Sequence, residues 1–200
     1  MDAEILTRLQ ELGADTSLVD NDASLVDQLG SIRFRQVLFH DSWECYGIRE
    51  FLEQHEDLYK SDQEAFVEEL LDSLLADDDE PRGQMFWRHV LFTPLTPGSD
   101  DHKEWDDYFD ELELTEIREV AGNGNLEFIQ IIESYGYPDH YYICLSDPNP
   151  ENPTVFGTDH EEYFSEITNL GTLKEFLDTL LSRSALREIS LEYLADSNED

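Results

Sequence analysis

Carboxylates are the side chains through which this sequence could do chemistry. In 200 residues, 48 Asp and Glu face 12 Lys and Arg, for a formal charge of -36. Oxygen-only ligands suit a hard cation such as calcium. Two stretches are dense enough to hold one: Asp77, Asp78, Asp79 and Glu80, and then Asp100, Asp101, Asp106 and Asp107. The EF-hand pattern fails. Asp20-Asn21-Asp22 opens like such a loop, but Leu25 stands where the turn requires glycine and Ser31 where a glutamate must close the site. General acid–base catalysis needs a carboxylate pair whose environments differ, and with acids this abundant no pair stands out. His40, His55, His89, His102, His140 and His160 do not fall with Cys45 or Cys144 into zinc spacing. The densest groups, Asp159-His160-Glu161 and His102 beside Asp100 and Asp101, read as exposed turn residues. No glycine-rich phosphate loop, HExxH or G-x-S-x-G occurs. The expectation is a protein that is no enzyme and needs no cofactor, with calcium on the acidic clusters as the alternative.

The charge points outward, to a partner. The acids run through both halves of the chain, and Lys60, Lys103 and Lys174 are its only lysines. A surface negative throughout repels nucleic acid and anionic membranes, so neither is an expected direct ligand. Basic proteins are. A DNA mimic that blocks a DNA-binding protein is a second alternative on the same ground. The cysteines are far apart and are expected to be reduced and mostly buried. The acidic amphipathic start is not a signal peptide, and no apolar run reaches the 18 residues of a membrane span. Together these features predict a cytoplasmic protein.

Hydropathy patterning gives the elements that must carry this surface. Ile5, Leu6, Leu9 and Leu12 recur at helical spacing before Gly13, and a second short helix ends at Gly30. Ile32 to Phe39 is β-branched and aromatic and reads as a strand. Trp43 to Tyr59 reads as a helix. Ser61 with Glu64 forms a capping-box pair ahead of the stripe Phe66, Val67, Leu70, Leu71, Leu74 and Leu75. Met85 to Phe92 reads as a strand, and Trp105, Tyr108, Phe109 and Leu112 as one face of a helix. Leu126 to Glu133, apolar on both faces, reads as a central strand that turns at Tyr135-Gly136-Tyr137-Pro138-Asp139 and returns as His140 to Leu145. Thr154 to Thr158 is a further strand and Asp159 to Glu162 a turn. Thr172 caps a helix with Glu175 as its box partner, and Ser184 to Leu194 is the last helix.

Two segments carry a family likeness. Tyr141-Tyr142-Ile143-Cys144-Leu145-Ser146-Asp147-Pro148, followed by Pro153-Thr154-Val155-Phe156-Gly157-Thr158-Asp159-His160-Glu161, resembles the C-terminal half of the SUKH superfamily. These are bacterial toxin-immunity proteins related to fungal cell-wall assembly regulators. In that family an aromatic and aliphatic strand ends in an acidic loop. A short strand with a Val-aromatic pair then runs to Asp-His, and a capped helix with a Phe-Leu pair follows, where Phe176-Leu177 stands here. The resemblance covers roughly residues 122–182, and residues 1–120 depart from the pattern. It implies an α+β fold with one curved sheet, and a binding protein that blocks a toxin, commonly a nuclease with a basic active-site surface. The expected whole is a single α+β domain over residues 1–195 with a disordered acidic tail at 196–200. Its sheet is curved and mostly antiparallel, with helices on one side and helical segments at both termini. Acids of the central loops, Asp147, Glu151, Asp159, Glu161 and Glu162, are the expected partner contacts, with Tyr141 or Tyr163 as aromatic anchor.

Overall fold

A computed structural model describes residues 1–78, 80–105, 114–122, 124, 126–136, 139–159, 161 and 163–196, the last span without the side chains of Tyr163, Ser165 and Glu166. The helices are α1 (Ala3–Glu11), α2 (Leu25–Ser31), α3 (Ile48–Gln54), α4 (Glu56–Ser61), α5 (Gln63–Leu75), α6 (Asp100–Trp105), α7 (Thr115–Ala121), α8 (Leu173–Asp178) and α9 (Arg183–Asp196). The strands are β1 (Met85–Phe92), β2 (Phe128–Ser134), β3 (His140–Cys144), β4 (Thr154–Asp159) and β5 (Tyr163–Thr172). They form one sheet in the order β1-β2-β3-β4-β5, every neighbouring pair antiparallel. This is the expected α+β fold with helices at both ends. Among the described residues no helix is long and apolar enough to cross a membrane.

The alternation along β2 and β3 explains the layering. Ile129 pairs with Ile143 and faces α1 and α8, where Ile5, Leu9, Leu173, Phe176 and Leu177 complete one buried cluster. Phe128 pairs with Cys144 and points the opposite way, into a second cluster with Tyr142, Phe156, Phe164, Leu114 and Ile117. Strands apolar on both faces must be covered on both. Helices therefore flank the sheet on two sides, not on the one side expected, and α7 is the cover that sequence patterning missed.

A third cluster is mainly helical. The α5 stripe, Phe66 to Leu75, packs on Ile48 of α3 and on Leu186 and Leu194 of α9. Three acids on α5 meet two arginines of α9: Arg183 binds Glu68 at 2.9 Å and Asp72 at 2.8 Å, and Arg187 reaches Glu64 at 2.7 Å and, more loosely, Glu68. Half-exposed pairs of this kind contribute about 0–1 kcal/mol each, so burial of the stripe dominates.

Residues 32–39 do not form the expected strand. Their backbone is divided among three elements: Val37 donates to Leu75 (3.0 Å), Leu38 exchanges bonds with Met85 (2.8 and 2.7 Å), and Phe39 accepts from Leu181 (2.8 Å). Leu38 enters the sheet cluster while Val37 and Phe39 enter the helical one. A β-branched, aromatic run there reports a buried seam, not a ladder. The expected helix over 43–59 is also broken. Cys45 (φ 61°) and Gly47 (φ 90°) turn left-handed before α3, and His55 separates α3 from α4. The cap of α5 is Asp62, whose carboxylate accepts from the Ala65 amide at 3.1 Å, while Ser61 closes α4 by donating to Asp57.

Candidate partner-binding groove

The structure divides the expected contact residues. Tyr141 is 6% exposed, and its ring lies 5.1 Å from that of Phe176. Burial raises its phenol pKa above the ordinary tyrosine range, with Ser134 opposing and Asp139 adding to the shift. Asp147 is 7% exposed. Its two carboxylate oxygens accept from the Asn149 and Thr154 amides, both at 2.8 Å, and so hold the β3–β4 loop in shape. Neither residue presents itself to a partner, and both are corrected to structural roles. Glu151 is exposed on that same loop. Asp159 and Glu161 lie at the other end of β4, roughly 17 Å away at about 3.3 Å per residue, where the Asp159 carboxylate accepts from the Glu161 amide. Glu162 and the side chain of Tyr163 lie outside the described residues.

Four of the acids assigned to calcium are engaged by their own chain. Asp78 and Glu80 flank Arg82 at 3.3 and 2.8 Å. Asp100 pairs with Lys103 at 2.6 Å, and Asp101 accepts from the Thr93 amide and hydroxyl at 2.8 and 3.0 Å. Asp77 joins no metal-holding group, and no three His, Cys, Asp or Glu gather to form one among the described residues. Asp79, Asp106 and Asp107 lie outside them.

A different surface stands out. Three depressions of about 370, 430 and 400 Å³ adjoin one another, Tyr46 forming a wall of the first two and Tyr135 a wall of the last two. Both rings are exposed, at 55% and 45%. Glu50 and Glu80 line the first depression, Glu44 the middle one, and Glu133 and Asp139 the last. Arg82, in the first, is the only Lys or Arg among these lining residues, and Asp78 and Glu80 already pair with it.

Local structure fixes each ring. The β2–β3 hairpin closes through the Ser134 amide on Asp139 O (2.7 Å), and the Ser134 hydroxyl donates to Gly136 O (2.9 Å). Gly136 sits at φ 140°, which a side chain would strain. Tyr135 then packs edge-on against Phe86 at 5.5 Å, its amide held by Gln84 O. Arg88 lies over the Phe86 ring at 5.2 Å and binds Glu133 at 3.1 Å. Tyr46 is set by the left-handed turn. The Trp43 indole donates to Arg82 O at 2.8 Å and stacks obliquely on Phe39. At Gly47 a Cβ would stand 3.0 Å from Arg82 Cδ. The Tyr46 hydroxyl donates to Glu44, and that bond, with the carboxylate's charge, raises the phenol pKa.

His40, Asp41 and Ser42 at the rim have the residue types of a nucleophilic triad but not its geometry. The Ser42 hydroxyl (2.8 Å), the Ser42 amide (3.1 Å) and the Asp41 carboxylate (3.0 Å) all meet one nitrogen, Nδ1. A relay needs the carboxylate on one ring nitrogen and the hydroxyl on the other. These contacts build a turn. The groove can therefore hold and orient a cationic, partly apolar surface through carboxylates and ring faces. Sequence reasoning identified the Tyr135-Gly136 turn but not its role. It had no signal for Tyr46 and Glu44, since the turn that presents them depends on a non-glycine residue, Cys45, at positive φ. Compared with family models, curated proteins and solved structures, the chain matches none.

Proposed function

We propose that this chain is an acidic, non-enzymatic binding protein that neutralises a basic protein, and that the groove is its working surface. The likeness of residues 122–182 to SUKH immunity proteins makes a nuclease toxin the favoured partner and the cytoplasm the place of encounter. One observation carries the reading: two exposed tyrosines alternate with five carboxylates along adjoining depressions of a protein charged at -36. The overall field steers a basic protein inward, and complementary charge fixes its register. Buried rings then supply most of the free energy, as aromatic anchors do at interfaces generally.

The test is co-purification of the chain with a basic nuclease from its own cytosol, followed by a nuclease assay. Stoichiometric inhibition is expected. Truncating Tyr46 or Tyr135 to Ala should weaken binding by about 2 kcal/mol or more, close to thirtyfold. Glu151→Gln, on the far loop, should change it by less than about 0.5 kcal/mol. Recovery of a non-nuclease DNA-binding protein in place of a nuclease would favour DNA mimicry. Turnover of a small substrate by the pure chain would refute the reading.

A further inference from the structure

Resting on that reading, we infer that the middle depression receives an arginine side chain of the partner. Its floor is apolar, made by Met85, Leu170 and Phe176, and its sides carry the rings of Trp43, Tyr46 and Tyr135. Its one carboxylate is Glu44, and no lysine or arginine lines it. Glu44 is exposed and receives the Tyr46 hydroxyl on Oε2, while Oε1 takes no hydrogen bond among the described residues. The same contact ties ring and carboxylate together, so a cation that meets the acid also meets an aromatic face.

A guanidinium fits this set better than an ammonium. It is planar, weakly hydrated and stacks on aromatic rings, and its donors form a fork for a carboxylate and a nearby carbonyl. Gly136, Ser42 and Thr179 belong to the same lining, and the Gly136 carbonyl, which accepts from the Ser134 hydroxyl, keeps a second lone pair. The three-carbon stem would lie over the apolar floor. The depression adjoins others on both sides, so the occupant is a side chain projecting from a longer segment and not an enclosed small molecule.

The probe is the capped peptide acetyl-Gly-Arg-Gly-amide, titrated into isotope-labelled chain at about 0.15 M salt, where diffuse attraction is screened beyond about 8 Å. Saturable amide shifts are expected at Glu44, Tyr46, Tyr135 and Gly136. The citrulline peptide, neutral but of the same shape, should bind about tenfold more weakly, and the lysine peptide about threefold. Glu44→Gln should lower arginine-peptide affinity about five- to tenfold, while the remote D20N/D22N chain should match the parent. Equal binding of the citrulline or lysine peptide, shifts scattered over the surface, or no saturable shift overturns the inference. The broader reading fails separately. If the co-purified nuclease binds the parent and the E44Q variant alike while Y135A weakens it, the arginine site is wrong and the groove reading stands. If no basic protein binds the parent, the function itself is wrong.

Discussion

Replacing Asp147 with Ala separates a structural carboxylate from a surface contact. Its oxygens accept two backbone amides at 2.8 Å, from Asn149 and Thr154, while the side chain is 7% exposed. A hydrogen bond to a charged group contributes about 1.5–3 kcal/mol. The Asn149 end of the loop is exposed, so water can replace part of that bond; Thr154 opens β4 and is only partly open to water. Taking the low end for the first bond and the middle of the range for the second gives about 3–4 kcal/mol for Asp147→Ala. In a domain of this size each kcal/mol shifts Tm by roughly 2–4 °C, so a fall of about 6–16 °C is predicted. Asp147→Asn keeps one acceptor oxygen and should lose about half as much. Urea unfolding followed by circular dichroism measures both variants. A loss below about 1 kcal/mol for Asp147→Ala would refute the reasoning and return Asp147 to the candidate contact surface.

Self-repulsion at -36 predicts that stability rises with salt: between about 0.01 and 0.5 M NaCl the unfolding free energy should grow by on the order of 2–4 kcal/mol, and a flat profile would contradict it. Burial raises the Tyr141 phenol and the Cys144 thiol above their unfolded values. Their stabilisation is therefore complete below about pH 8.5 for the thiol and about pH 10 for the phenol, and is lost as pH rises through the raised folded values. Tm followed from pH 7 to 11 should decline less steeply in the Cys144→Ala, Tyr141→Phe double variant, and an unchanged slope would remove those groups as the cause. The Thr172–Glu175 capping box, with both reciprocal bonds formed, predicts that Thr172→Ala lowers the unfolding free energy by about 1 kcal/mol in denaturant titrations. No measurable loss would mean that α8 is held by its buried face alone.

Elements whose local and tertiary preferences agree were legible in advance. The α5 stripe, the strands β1 to β4 and the cap of α8 fall where periodicity and capping chemistry put them. The failures share one physical cause, a backbone satisfied by tertiary partners and not by its own local pattern. Residues 32–39 bury like a strand but divide their hydrogen bonds among α5, β1 and the chain after α8. Conversely, β5 (Tyr163–Thr172) interrupts Phe164, Ile167 and Leu170 with polar residues and Gly171 in no strict alternation, yet becomes a strand, because β4 offers it an open edge. The surface proposed for contact matches the expected one in kind, acids beside exposed rings, but not in position. Composition reports charge without reporting which tyrosine is buried, and Tyr141 and Tyr135 look equivalent until the hairpin register sends one inside.

The central claim is that a basic protein docks along the groove between Tyr46 and Tyr135. Amide hydrogen exchange on the complex with the co-purified nuclease tests it most directly. Slowed exchange confined to residues 43–50, 80–86 and 133–140 is the predicted footprint. Protection on the β3–β4 loop around Glu151 or along the outer face of α9, with the groove unchanged, would contradict it.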